Sequence, residues 1–507
     1  MKRIFTLALV FSSVVAGAFA QGELDAFNLS YNDLKGTARS IGMGGAMGAL
    51  GGDISAISIN PAGIGVYKSS EVVTTLNFTN NSTKTNLTGT SVDESKFKFS
   101  FDNLAFVGVV PINSDVVPLI NFGFSYNRLK SFDRKISMQG DYVGASMTDY
   151  IADLANNANV PASDLALASK PFRYSDLWMP ALGYNSGIIT GSQNNYQSIL
   201  AGKSDPSLDN NLNIREKGSV DTYDFNVGTT FADVLSAGIT VSVTDINYHM
   251  TSTYSENMYS GDTHLGEYFL DNYLKTEGTG WQVKAGLIFK PVKELRIGVA
   301  YHSPTWYEMT DYYSAAMEST ISDTYIDTWN EVGNTNTDYK FRTPDKWVFS
   351  LAGVIGRYAT ISADYELTGY GRMHLADRNG NAYSNENGFI KEDFKNSSTI
   401  RVGAEVLFTP EFSGRIGYMW QQSPYEKEVK DGNIVPVTAG TVTHYTLVGD
   451  ANYFTWGLGY QFTRNFYTDI AFVIKNRKDN IYSFEDSDRG SLKTSEFTGL
   501  LTLGCRF

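Results

Sequence analysis

The chain has 507 residues, a formal net charge of −13 and one cysteine. An acidic balance argues against a nucleic-acid partner, and one cysteine excludes an internal disulfide framework. Aromatic residues make up 13%, with 31 Tyr and 30 Phe, while Gly is frequent at 47 and Pro scarce at 13. This balance suits many strands carrying aromatic girdles.

The first element is a secretory signal peptide over residues 1–20. Met1-Lys2-Arg3 is a basic start, Ile4 to Phe11 an apolar core, and Ala18-Phe19-Ala20 a small-x-small cleavage site before Gln21. Losing Lys2 and Arg3 takes the net charge to −15. A single membrane anchor would need a longer apolar run with stop-transfer flanks, and no later segment approaches the ~18 apolar residues of a transmembrane helix.

Residues 21–69 contain no strand series. From Gly36 to Gly65 small residues dominate, and these allow close backbone packing and left-handed turns. Gly42-Met43-Gly44-Gly45 resembles a phosphate loop only superficially, because no βαβ context and no Gly-Lys-Ser/Thr follows. A compact glycine-rich segment ahead of a barrel reads as a plug folded into its lumen.

From about residue 70 apolar and polar residues alternate in long runs. Examples are Ile120/Phe122/Phe124/Tyr126, Ile239/Val241/Val243, Trp281/Val283/Ala285/Leu287/Phe289, Leu295/Ile297/Val299/Tyr301, Ile400/Val402/Ala404/Val406/Phe408 and Phe454/Trp456/Leu458/Tyr460/Phe462. A period of two predicts strands with one apolar face, and the lengths suit strands tilted across a bilayer better than those of a soluble sandwich. Short turns are expected near 112–118, 231–235, 290–294, 356–358, 409–412 and 463–466. Between them fall longer polar stretches, near 84–95, 139–218, 257–275, 311–340, 374–395, 425–450 and 484–490. Strict alternation of short and long connections is the mark of an outer-membrane barrel. The predicted fold is therefore all-β: a transmembrane antiparallel barrel of about 14 strands over 70–507, with the plug in its lumen. The 139–218 stretch is too long for a plain loop. Met147, Ile151, Leu154 and Ala155 have helical spacing, and Leu165, Leu167 and Trp178 add apolar bulk, so an external subdomain with short helices is expected.

The last strand closes the series. Leu501, Leu503, Cys505 and Phe507 alternate with Thr502, Gly504 and Arg506, which puts Cys505 toward lipid and makes the aromatic terminus the closing edge of the barrel. The even count places both ends in the periplasm.

Several stretches resemble the FadL/TodX family of outer-membrane transporters of long-chain fatty acids and other hydrophobic compounds. They are Asp53 with Asn60-Pro61-Ala62, Thr279-Gly280-Trp281 through Pro291, Arg296-Ile297-Gly298 through Tyr301-His302-Ser303-Pro304, Thr343-Pro344 through Ala363-Asp364-Tyr365, and Arg401-Val402-Gly403-Ala404-Glu405 to Arg415-Ile416-Gly417-Tyr418. The resemblance implies a fourteen-stranded barrel, capture of a hydrophobic solute by external loops, a hatch shift, and lateral exit into lipid through a kink in the third strand. It makes Asp53, Asn60, Pro61 and Ala62 the hatch residues. The third strand lies near 118–138, where Asn121 and Gly123 are the candidate kink, since Gly weakens a strand interior. The leader 21–35 and the 139–218 stretch match no family pattern.

Alternation directs Lys284, Arg296, Asp364, Arg401, Glu405 and Arg415 inward. They could hold a fatty-acid carboxylate or form a lumen network that fixes the plug. No catalytic group, metal or cofactor is expected. The alternative function is a haem receptor or another binding protein without transport, but His249, His264, His302, His374 and His444 form no paired ligand motif. A barrel enzyme would need a clustered acid, base and nucleophile at a rim, and the spacing gives none. Expected partners are outer-membrane lipid, a hydrophobic ligand, and the barrel-assembly machinery through the strand ending at Phe507. The expected state is a monomer in the outer membrane of a Gram-negative bacterium.

Overall fold

A computed structural model describes residues 22–112, 114–141, 143–166, 177–322, 324–327, 335–356, 358–436 and 442–507. The signal peptide and Leu167 lie outside the described residues. Fourteen antiparallel strands close into a barrel. They are β1 (Glu71–Leu87), β2 (Thr90–Pro111), β3 (Leu119–Ser131, continued by Arg134–Gly140), β4 (Pro206–Phe231), β5 (Leu235–Ser260), β6 (Thr263–Val292) and β7 (Leu295–His302, continued by Trp306–Ile321). The remainder are β8 (Thr335–Arg342, continued by Lys346–Ile355), β9 (Ala359–Gly369), β10 (Asn396–Leu407), β11 (Phe412–Gln421), β12 (Ala451–Gln461), β13 (Phe466–Tyr482) and β14 (Gly490–Arg506). β14 pairs with β1 from Glu71↔Arg506 to Asn86↔Ser491, and Phe507 N–H reaches the Ser70 carbonyl at 3.0 Å, so the barrel has no free edge there.

The faces follow the period of two. Phe122, Val241, Trp281, Leu287, Phe349, Phe454 and Phe497 stand exposed on the outer wall, as does Cys505. Their inward neighbours are mostly polar or small, with Ile288, Val348 and Tyr453 as larger exceptions. In lipid every backbone group must be satisfied within the protein, and the closed ladder achieves this except along the upper part of β2, which pairs on one side only. Among the described residues no helix is long and apolar enough to cross a membrane.

Two expected loops are strands instead. Around 84–95 the ladder runs unbroken to Leu87↔Thr90 and turns on Thr88-Gly89, both with positive φ. Around 257–275 it runs to Ser260↔Thr263 and turns at Gly261. Above the apolar band the outward face is polar while the inward face packs into a hydrophobic cluster through Leu87, Met258, Tyr268 and Leu270, so the outward apolar alternation fades while the hydrogen-bonded ladder continues. Parts of 311–340 are likewise strand, and 374–395 and 425–450 contain helices Ser384–Asp393 and Lys427–Lys430.

Of the 139–218 stretch, the first two residues and those from Pro206 onward are strand. The remainder carries helices Met147–Asn157, Ala162–Ala166 and Trp178–Asn185 and the hairpin Ile189–Ser198. Met147, Ile151 and Ala155 are buried on one helix face. This subdomain is tied to the wall by Glu256, which is fully buried and accepts from Ser146 Oγ (2.7 Å), Met147 N–H (2.7 Å) and Tyr254 OH (2.6 Å). Glu256 lies well above the apolar band, about 40 Å along β5 from Val243 at ~3.4 Å per residue. Burial raises its carboxyl above the ordinary glutamate range in spite of these donors. The docked state therefore holds the proton more tightly than the undocked one, and docking strengthens as pH falls from neutral toward the ordinary range and weakens as pH rises. Hydrogen exchange at the 147–157 amides, corrected for the intrinsic rate, is expected to show this slope, and Glu256→Gln is expected to flatten it.

Candidate functional site

The lumen is filled by the chain's own N-terminal segment. It opens with α1 (Glu23–Ser30), whose Phe27 ring lies 5.3–5.7 Å from those of Tyr31, Tyr370, Phe394 and Tyr425. α2 (Ala38–Gly42) begins at Thr37, whose Oγ1 accepts from Ser40 N–H at 3.2 Å. α3 (Ile54–Ile59) begins at Asp53, which accepts from Ser55 N–H at 2.9 Å and from Thr37 Oγ1 at 2.9 Å. One carboxylate thus caps α3 and ties it to the start of α2. Between them the chain folds back through Gly44, Gly45, Gly51 and Gly52, all at positive φ. That conformation is why the segment is so rich in glycine.

Asn60 joins plug to wall. Its Oδ1 accepts from Ala62 N–H at 3.1 Å and caps the 3-10 turn Pro61–Val66. Its Nδ2 donates to the Gly48 carbonyl at 2.7 Å and to the Leu287 carbonyl of β6 at 3.1 Å. Pro61 and Ala62 are buried. Beneath them the wall carries three glycines and an alanine. Gly228 on β4 pairs with Gly238 on β5, which pairs with Gly286 on β6, and the row continues to Ala300 on β7. A Cβ on Gly238 would collide with the Pro61 carbonyl, one on Gly286 with the Asn60 side chain, and one on Gly228 would meet Ile64 Cγ2 at 2.6 Å. The plug backbone therefore lies in a trough that only glycine can form.

The ladder shows no register shift at Asn121 or Gly123. Both sit in unbroken register with β2 and β4. Asn121 lies opposite Gly228 at one end of the trough and donates to the carbonyls of Ile64 (2.7 Å) and Tyr67 (3.1 Å). A Cβ on Gly123 would meet Ile64 Cδ1 at 2.8 Å. Both residues receive the plug, and its close approach gives Gly123 a physical reason.

The break in β3 comes later, with a register shift between Arg128 and Lys130 and a gap at Phe132-Asp133. β2 pairs with β3 only from Pro111↔Leu119 to Asn103↔Asn127. Above that point, residues 90–101 of β2 pair only with β1, and Asp102 bulges out of the ladder. The continuation of β3 turns over the inner face of β1, where Thr83 and Thr85 donate to the carbonyls of Lys135 (2.7 Å) and Ser137 (2.6 Å). The wall thus parts between β2 and β3. Phe97, Phe99 and Phe101 remain exposed on the outer face of β2 beside the parting, so it lies within the apolar band. On the inner side Lys96 and Lys98 reach Asp133, and Lys35 of the plug reaches Asp102 at 3.0 Å.

The six inward charges divide between plug and wall. Arg296 donates to the Leu50 carbonyl at 2.6 Å, and Asp364 accepts from Gly48 N–H at 3.0 Å. Glu405 lies between Arg39 of the plug (2.9 Å) and Arg415 (2.5 Å), and Arg415 also holds Asp469 at 2.5 Å. Arg401 pairs with Glu366 at 2.8 Å, and Lys284 with Asp224 at 3.1 Å. Asp224 in turn accepts from Ser58 of the plug at 3.2 Å. Arg39 could have been singled out from the sequence, being with Asp53 one of two charges between Gly36 and Gly65. The glycine trough and the partners Asp224, Glu366 and Asp469 could not, because they depend on register.

The five histidines lie apart. His302 Nε2 is 2.9 Å from the Ile59 carbonyl, His444 is half-buried, and His249, His264 and His374 lie on β5, the β5–β6 hairpin and the strand His374–Asp377. Among the described residues no group of three or more His, Cys, Asp or Glu is placed to hold a metal ion.

A closed fourteen-stranded barrel with its lumen filled by the preceding segment defines a plugged outer-membrane barrel, as distinct from an open porin. The chain belongs to the outer membrane protein transport family (OMPP1/FadL/TodX), whose model matches residues 181–502. Its fold is that of a Pseudomonas aeruginosa FadL homologue (13% identity, 94% of this chain and 100% of that one, TM-score 0.56). It is likewise that of the Pseudomonas putida toluene transporter TodX (12% identity, 94% and 99%, TM-score 0.52). No curated protein matches the chain.

Proposed function

We propose that this protein carries hydrophobic molecules, long-chain fatty acids or compounds of similar character, across the outer membrane of a Gram-negative bacterium. The observation that carries this reading is the parting of the wall between β2 and β3 inside the apolar band, next to a lumen closed by a seated plug. Each buried CH₂ gains about 0.8 kcal/mol on leaving water, so an acyl chain crossing a wet pore would have no reason to emerge into the periplasm. A side exit into lipid removes that obstacle. The external loops capture the solute, the lumen receives it, the plug shifts from its trough, and the solute leaves between the strands near Arg128–Asp133. The inward charges hold the plug, because each has a partner in the plug or the wall. The barrel works as a monomer, and the strand ending at Phe507 is the segment offered to the assembly machinery. No observation favours haem.

Asn60→Ala with Pro61→Ala tests the hatch. The change leaves the carbonyls of Gly48 and Leu287 and the Ala62 N–H without their side-chain partners, at about 1–3 kcal/mol for each buried unsatisfied group. Uptake of labelled oleate into proteoliposomes is expected to exceed that of empty liposomes for the wild type and to change several-fold in the variant. Equal uptake by both proteins would remove the hatch role, and wild-type uptake no greater than that of empty liposomes would remove the transport reading.

A further inference from the structure

Three lysines stand abreast on the outer wall. Lys84 of β1 is the register partner of Lys493 of β14, which is the register partner of Lys478 of β13. All three are exposed. Like charges directly opposite across strands repel, and an acidic chain has no shortage of carboxylates to relieve them. Yet only Lys84 has one, Asp93 at 3.3 Å. Among the described residues, neither Lys478 nor Lys493 has a carboxylate within ion-pairing distance.

Their height on the barrel gives the row a meaning. Phe78, Ile474 and Phe497 are the uppermost apolar residues facing outward on these three strands. Lys493 lies four residues above Phe497, about 13 Å along a strand, or roughly 10 Å of height at the usual tilt. With flexible stems reaching downward, the ammonium groups meet the polar layer over the ~30 Å hydrocarbon core. Beside them the wall is recessed, because Val448–Asp450 leave the ladder below the short strand Tyr445–Leu447, with Gly449 N–H held by Asp479 at 2.9 Å. The recess has a volume of about 700 Å³ and is lined by Lys478 and Lys493 with Asn452, Asn476 and Asn480, and also by Lys430 and Asp450, which pair with each other at 3.6 Å and leave Lys478 and Lys493 as the cations open to a phosphate. Ammonium groups suit phosphate, carboxamides suit sugar hydroxyls, and the volume suits a small saccharide.

We propose that this row and recess form a binding site for the phosphorylated saccharide headgroup of an outer-leaflet glycolipid. The phosphate bridges Lys478 and Lys493 and relieves their repulsion, the sugar occupies the recess, and the acyl chains lie along Phe497 and Ile474.

The test uses the full barrel in neutral detergent, titrated with lipid A and read by native mass spectrometry. The variants are Lys478→Gln with Lys493→Gln and, as a charge-matched control, Lys203→Gln with Lys391→Gln, both lysines being exposed elsewhere. Heat-modifiable migration establishes that each variant folds. Two lysines facing an anionic lipid correspond to a loss of about thirtyfold in affinity. The wild type and the control are expected to bind lipid A alike, the Lys478/Lys493 variant about thirtyfold more weakly, and dephosphorylated lipid A weakly to all three. Equal binding by the two double variants would overturn the site. Displacement of lipid A by inorganic phosphate at matched concentration would overturn the lipid assignment in favour of free phosphate.

Discussion

The Gly238→Val variant is expected to assemble as a heat-modifiable barrel and to leak. The added side chain would project into the trough, where the obstacles are the Pro61 carbonyl and the Ala62 backbone, with Ala62 N 2.9 Å from the Cβ position. Overpacking a core typically costs 1–3 kcal/mol where side chains can yield. Here both sides are backbone, so the upper end of that range applies, and the plug is the less constrained partner because the wall is held by the ladder on both sides. The measurement is swelling of proteoliposomes in small sugars, where the wild type should stay near the baseline and the variant should rise above it. Gly353→Val is the matched control, since a Cβ there meets nothing within 4 Å. Equal leakage from the two variants would show that the trough does not seat the plug.

The second large effect is expected at Arg415. Its guanidinium bridges Glu405 and Asp469, and Glu405 is also the wall-side partner of Arg39 in the plug. Arg415→Ala leaves Asp469, which is buried, without its cation, and removes one of the two arginines facing Glu405. Breaking a buried pair from one side costs about 3–5 kcal/mol. The loss should appear as faster hydrogen exchange at Ser40 to Ala49 of the plug, with β-strand amides far from the cluster unchanged. Arg415→Lys should recover part of the protection, because an ammonium restores the charge without the two-pronged geometry. A uniform loss of protection through the whole barrel would mean that Arg415 supports the wall instead of the plug.

Both predictions depend on which residues face each other, and that marks the division between sequence and structure. The faces were legible. The period of two turns Lys284, Arg296, Asp364, Arg401, Glu405 and Arg415 inward, and in the barrel Arg296, Asp364 and Glu405 touch the plug while Lys284, Arg401 and Arg415 pair with wall carboxylates. The glycine-rich segment ahead of the strands was legible as a plug, because so many small residues in one stretch suit tight turns and close approach. The closing strand was legible in Leu501 to Phe507.

What stayed hidden was whatever a strand gains from its neighbour. Alternation tells which way a side chain points but not what lies beside it, and a slip of one residue changes every partner. Gly228, Gly238 and Gly286 are three separate glycines in the sequence and one trough in the barrel. Asn121 and Gly123 had the composition of a weak point in β3, but the ladder passes through them intact and opens at Arg128–Asp133, where Lys130 turns inward to Asn28 of the plug. Lys478 and Lys493 face each other across the last hairpin, and Lys84, hundreds of residues earlier, joins them only when the last strand closes on the first. The sequence by itself determined the barrel, its membrane-facing belt and its plug, since these depend on local period and composition. The tertiary structure decided the plug's seat, the place where the wall parts and the lysine row, since each is a product of register, which hydrogen bonds between distant strands set.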